Sequence, residues 1–328
     1  MNGLLAHNET YYQAVARNIF LNEQFFEVHR IFSRENIAVV PLKGVALIQN
    51  VYHDISQRYF GDIDILVKPK DVPKAAVILE SLRYTHPRIN FNPQKPYSIY
   101  LNSVVFFRQP CDVNYSVHLH WHLLNSTLPF FMYRLAMDDI WACARIERTK
   151  EGDLVMMAPY HLLIYLSLHA YQHSFDNPGL FQDIKKVIEF YRSELDWSLA
   201  ADCSRRWNAC MPFYIALYLT SRICGADIPE GIMLSVKPKR ISKNGHRAIS
   251  VILKNGRGWQ NVAYPLFLDM TDSFRDKGKF VFLSFFPPPA EISKIHAFNF
   301  RISVFGHYLK RCGWGISQMI KFLFGSRV

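Results

Sequence analysis

The sequence predicts an α/β (α+β) chain. A sheet domain is expected over residues 1–150, a helical domain over 151–230, and a basic, aromatic-rich region over 231–328 that is mostly helical near its end. Three observations carry this reading. Strand and helix patterns alternate through the first 85 residues and are followed by two stretches of period-two alternation, which is the order of a sheet domain with flanking helices. From "APYHLLIYLSLHAYQH" onward the spacing becomes helical. Charge is also divided unevenly, with 22 basic and 23 acidic residues in positions 1–230 against 16 and 4 in the last 98.

The elements follow in order. Val15, Ile19, Phe26 and Ile31 recur at helical spacing, so residues 10–33 read as an opening helix. "IAVVPL" fits a short buried strand and "KGVALIQNVYHD" a helix after it. "DIDILV" is the next strand, with Asp71 placed to cap a helix over 72–83. Residues 97–108 and 111–122, rich in Val, Phe, Tyr and His, read as two further strands. Helices are expected over 159–174, 180–192, 196–209 and 211–224, the first two separated by "NPG". Residues 229–289 are broken by "KPK", "NGRG" and "FFPPP" and give no clear element, while 291–324 reads as mostly helical.

Composition narrows the class. Half of the 328 residues are hydrophobic and a fifth charged, which is globular usage. No apolar run is long enough for a spanning helix, and the first residues show no signal peptide. The six cysteines include no CxxC pair, so reduced thiols and a cytoplasmic setting are expected, or one peripheral to a membrane. The net charge of +11 sits in the C-terminal third. There it reads either as a solvated basic face or as a surface for an anionic partner, such as a membrane or a nucleic acid.

Asp62 and Asp64 are the chemically informative pair. On a strand they share one face with Leu66, while Ile63, Ile65 and Val67 share the other. Burying carboxylates is costly unless they are paired or bind a cation, so the pair suits a divalent metal carrying phosphates. An edge strand whose aspartates face water is the plainer alternative. Upstream, Lys43 and Gly44 sit where a strand enters a helix. Glycine there allows close backbone approach, the helix start favours anions, and Lys43 supplies a cation. Arg58, four residues before Asp62, is placed to hold a phosphate or pair with an aspartate. Taken singly, Lys43 and Arg58 also read as ordinary surface charges.

"PLKGVALIQNVYHDISQRYFGDIDILV" resembles the signature of the uncharacterised nucleotidyltransferases of the polymerase-beta-like superfamily. "VHLHWHL" at 117–123 continues it, and "LLIYLSLHAYQH", "LFQDIKKVIEF" and "FFPPPAEI" extend it more loosely. The resemblance implies a polymerase-beta-like nucleotidyltransferase sheet domain followed by a mainly helical region. It also implies transfer of a nucleotide from an NTP with Mg²⁺ (or Mn²⁺) as cofactor. Asp62 and Asp64 would be catalytic and metal-binding, and Lys43, Gly44 and Arg58 would bind the nucleotide. Two departures stand out. The superfamily's glycine-serine is Gly44-Val45 here, and its third carboxylate falls on His118.

His118 shares a face with His120 and His122, and a neutral imidazole there can ligate a metal or act as a base. Asp112 has the same parity but lies six residues away and makes a poor substitute. His169 and His173 share a helix face, with no glutamate of an HExxH motif between them, and read as a packing pair. Asp183 reads equally as a cleft residue and as a surface residue. The expected activity is nucleotidyl transfer with His118 as the third catalytic residue. The acceptor would be a glycan, lipid-linked sugar, protein or RNA. The alternatives are a catalytically weakened relative that binds nucleotide or glycan, and an RNA-modifying transferase.

Overall fold

Short apolar runs bounded by glycine, proline and lysine leave room for only brief strands, and the sheet is accordingly small. The computed structural model describes residues 2–52, 54–86, 102–108, 115–124, 130–259 and 262–286, together with 306, 308–313 and 315–317. It is a mixed α/β chain with two compact units. The first comprises residues 1–125 and 136–159, the second residues 126–135 and 160–328.

In the first unit a long helix, α1 (Asn2–Arg34), is followed by β1 (Val40–Pro41), α2 (Lys43–Asn50), β2 (Ile63–Leu66) and α3 (Val72–Ser81). Then come β3 (Ser103–Arg108), β4 (Tyr115–His120) and a short α4 (Met137–Ala142). The four strands form one sheet in the order β1-β2-β4-β3. β2 and β4 run parallel at its centre, while β1 and β3 pair antiparallel on either side. Alternation decides what each face carries. Ile63, Ile65 and Val67 from the β2 segment and Val117, Leu119 and Trp121 from the β4 segment all enter one apolar cluster. Phe25 and Phe32 of α1 and Ala75 and Leu79 of α3 belong to it too. Burying each such side chain contributes on the order of 1.5–3 kcal/mol, which fixes the register of both strands. The opposite face is thereby committed to Asp64, His118 and His120.

Several elements differ in detail from the sequence reading. β2 begins at Ile63, so Asp62 precedes the strand instead of lying within it. Asp71 sits at the start of α3, but its side chain caps nothing there; a 3-10 turn over Pro69–Asp71 leads into the helix. α2 ends at Asn50, short of the expected Asp54. Residues 97–101 and 111–114, expected in strands, lie outside the described residues. An antiparallel hairpin of β5 (Arg145–Thr149) and β6 (Gly152–Met156) is an addition to the expected elements. Its apolar pattern is thin, since Leu154 and Met156 reach the core while Ile146 is 71% exposed.

The second unit is helical: α5 (Pro159–Gln172), α6 (Gly179–Phe190), α7 (Trp197–Arg206) and α8 (Cys210–Cys224), near the expected positions. The stretch without clear sequence signals folds as α9 (Glu230–Val236), α10 (Lys243–Asn255), α11 (Tyr264–Asp269) and α12 (Phe274–Phe285). Side-chain oxygens of Ser242 and Ser273 accept from Gly245 N–H and Asp276 N–H and so start α10 and α12. Tyr171 of α5 packs edge-on against Phe267 of α11, with ring centres 4.6 Å apart. Most of the helix expected over 291–324 lies outside the described residues. Among the described residues no helix is long and apolar enough to cross a membrane.

Candidate active site

The parallel register of β2 and β4 sets Asp64 directly beside His118, and Leu66 beside His120. Side chains of paired residues in a parallel ladder leave the sheet on the same face, so the carboxylate and both imidazoles converge. His118 Nδ1 lies 3.5 Å from Asp64 Oδ1 and 3.5 Å from Asp62 Oδ2. His120 Nε2 lies 2.8 Å from Asp64 Oδ1. Lys43 Nζ donates to that same oxygen at 2.8 Å. Leu42 N–H donates to the Asp64 carbonyl at 2.9 Å, which brings the start of α2 alongside the strand.

The electrostatics follow from depth. Asp64 is 1% exposed and its burial opposes ionisation. The charge of Lys43 and hydrogen bonds from His118 and His120 prevail, and its carboxyl lies well below the usual carboxylate range. Burial pushes the His120 imidazole below its ordinary value, against the pull of Asp64 toward the charged form. Neutral His120 with its proton on Nε2 is therefore the donor to Asp64. Its Nδ1 is buried with no hydrogen-bond partner among the described residues. Asp62 and His118 are more open, with side chains 38% and 26% exposed, so the group is closed on the Asp64–His120 side and accessible on the other.

The nucleotide-binding candidates lie beside this group. Lys43 is held in the left-handed region at φ 49°, where a non-glycine residue is strained by about 1–2 kcal/mol. Gly44 is buried, and a Cβ added there would lie 2.5 Å from both Arg58 Nη1 and Phe60 Cβ. The glycine thus admits Arg58 and Phe60, in addition to any approach by a ligand. Asn18 of α1 organises the loop that carries Arg58. Its Nδ2 donates to the carbonyls of Ile55 and Arg58 at 2.7 and 2.8 Å, and its Oδ1 accepts from Phe60 N–H at 3.2 Å. Arg17 Nη2 donates to the Gly61 carbonyl at 3.0 Å, just ahead of Asp62.

A family model described as "uncharacterised nucleotidyltransferase" matches residues 4–225. The chain belongs to that family. No curated protein and no solved structure matches it. The nucleotidyltransferase match takes in the sheet and the helices through α8 and stops before the basic C-terminal region.

Nucleotidyltransferases depend on divalent cations, and the donor set here fits one. One ligand atom from each of Asp64, His118 and His120 lies within 4.8 Å of the others, and Asp62 adjoins them through His118. All six sequence-derived candidates belong to the first unit. Lys43, Asp62, Asp64 and His118 meet directly, while Gly44 and Arg58 meet each other one step away. Three further residues join the site without being sequence candidates. Strand alternation puts His120 on the right face, but nothing in the sequence marks Asn18 or Arg17. His169 of α5 and His173, just past the end of that helix, pack against each other edge-on at 4.5 Å in the second unit, and Asp183 is buried there.

Proposed function

We propose that this chain transfers a nucleotidyl group from a nucleoside triphosphate to an acceptor nucleophile, with release of pyrophosphate. The observation that carries the reading is a carboxylate kept ionised at the centre of a parallel strand pair, ringed by Lys43, His118, His120 and Asp62. A divalent cation held there by Asp64 with its neighbours would neutralise charge on the reacting phosphates. Lys43 and Arg58 supply the cationic contacts to the triphosphate, and the loop tied down by Asn18 fixes where Arg58 stands. His118, at the third catalytic position, offers an imidazole nitrogen either to the cation or to the acceptor's proton. The acceptor oxygen attacks the α-phosphorus, the bond to the β-phosphate oxygen breaks, and the acceptor's proton passes to His118 or water. Catalysis in this scheme is positioning and charge neutralisation.

Labelled NTPs with purified protein and divalent cations, read as released pyrophosphate and labelled acceptor, test the reading. Asp64→Asn and Asp62→Asn should each lower transfer at least about a hundredfold. Either variant retaining full activity refutes it. A second reading, a nucleotide-binding relative without transfer, draws on the replacement of the third carboxylate by His118. It predicts nucleotide binding without pyrophosphate, and a gain of transfer in His118→Asp.

A further inference from the structure

We propose that the cation of this site is a first-row transition ion of the iron-to-zinc series, ligated by Asp64, His118 and His120, and not Mg²⁺ or Mn²⁺. The inference rests on the metal-dependent reading above and names the class of metal. Mg²⁺ demands oxygen ligands at near-octahedral geometry and gives up its water reluctantly, whereas imidazole nitrogen suits the later ions of the series. Two of the three converging ligand atoms are imidazole nitrogens.

The spacing agrees. Ligands about 2.0–2.1 Å from a tetrahedral metal lie about 3.4 Å from one another. Asp64 Oδ1 is 3.5 Å from His118 Nδ1 and 2.8 Å from His120 Nε2, and the imidazole nitrogens lie within 4.8 Å of each other. The shorter distance has to open, and ligation through Nε2 moves the His120 proton to Nδ1. The backbones are already fixed, because Asp64 and His118 are direct partners in the ladder and His120 lies two residues along the same strand. Three protein ligands on one side and an accessible side at Asp62 and His118 is the pattern of a site that keeps a position open for substrate.

Lys43 completes the device. Its ammonium sits on the same Asp64 oxygen that the metal would use, as a cation already in place. Metal entry displaces it, and the displaced ammonium remains beside the bound ion, where the triphosphate must lie. A magnesium site built from Asp62 and Asp64 alone would not need two imidazoles on the same face.

The test titrates metal-stripped, full-length protein with Co²⁺ without nucleotide, following the visible absorption of nitrogen-ligated Co²⁺. Expected are one Co²⁺ per chain, displacement by Zn²⁺ and no displacement by a large excess of Mg²⁺. His118→Ala should weaken Co²⁺ binding at least about tenfold. His118→Asp, which restores an oxygen ligand, should shift the preference toward Mg²⁺. Absence of the Co²⁺ spectrum, equal competition by Mg²⁺, or unchanged affinity in a folded His118→Ala protein overturns the proposal. Pyrophosphate release with Mg²⁺ and no Co²⁺ spectrum would sink the metal assignment while leaving the transferase reading intact. Co²⁺ binding without turnover of any NTP would do the reverse.

Discussion

Lys43 Nζ and Asp64 Oδ1 lie 2.8 Å apart across 21 positions of sequence, and Lys43 reaches there from a left-handed backbone. The strain is tolerated because Lys43 supplies the ammonium that holds the buried Asp64 carboxylate in its charged form. Lys43→Met should lower the free energy of unfolding by about 3 kcal/mol, as expected for a buried charge stripped of its partner. Lys43→Gly should lose about 1 kcal/mol less, since glycine adopts this backbone freely. Urea denaturation of both, alone and combined with Asp64→Asn, provides the check. If Lys43→Met costs as much in the Asp64→Asn background as it does with Asp64 in place, the two side chains are not coupled.

Gly44 predicts a different failure. Gly44→Ala places a methyl where Arg58 Nη1 and Phe60 Cβ stand, and the loop must move. A cost of about 1–3 kcal/mol is expected from overpacking. Nucleotide affinity should fall with it, because Arg58 is displaced. A folded Gly44→Ala protein with unchanged nucleotide affinity would show that Arg58 does not contact the triphosphate.

Asn18 acts through the same loop without touching the reacting groups. Asn18→Ala removes three hydrogen bonds to the backbone of residues 55–60 and leaves those groups partly buried. Loss of about 2–3 kcal/mol is expected. The KM for the triphosphate should rise more than kcat falls, since Asn18 positions Arg58 and not the reacting atoms. Kinetics of the variant at a temperature where it remains folded separate the two.

Stability should decline on mild acidification. Burial pushes the His29 imidazole down, and that of His122 down to about 4. The unfolded chain takes up protons on these groups below about pH 6.5, while the folded chain resists until lower pH, so stability falls as pH drops through this window. His122 alone should account for about 2 kcal/mol by about pH 5. Urea midpoints at pH 7 and pH 5 should draw together in His122→Asn, and an unchanged difference would contradict the assignment. Asp64, with its carboxyl held low, has the opposite kind of shift. Its contribution is present above about pH 4 and disappears as pH falls further toward its folded value.

Much of the sheet was legible because its strands obey a period of two with one face apolar. Ile63, Ile65, Val117 and Leu119 announce the buried face, and by exclusion Asp64, His118 and His120 the other. The β5–β6 hairpin was not legible, since Arg145, Glu147, Arg148 and Asp153 dilute its alternation and only Leu154 and Met156 are buried. α9–α12 escaped for a related reason. α9 and α11 are short, and the "KPK" and "NGRG" breaks on either side of α10 obscure where that helix starts and stops; Phe267 of α11 is held by its tertiary partner Tyr171.

The sequence by itself determined the candidate site: two acids one residue apart, a Lys-Gly turn before them, Arg58 between, and His118 on a later strand of the matching alternation. Local period and residue chemistry suffice for that. Only the tertiary structure decided who meets whom. The parallel register of β2 and β4 chose His118 as the neighbour of Asp64 and brought His120 onto the same oxygen. Chain reversal after β1 delivered Lys43 to that oxygen, and α1 supplied Asn18 from 40 residues away to hold Arg58. Such pairings depend on how apolar faces far apart in sequence settle against each other, and no local pattern records that.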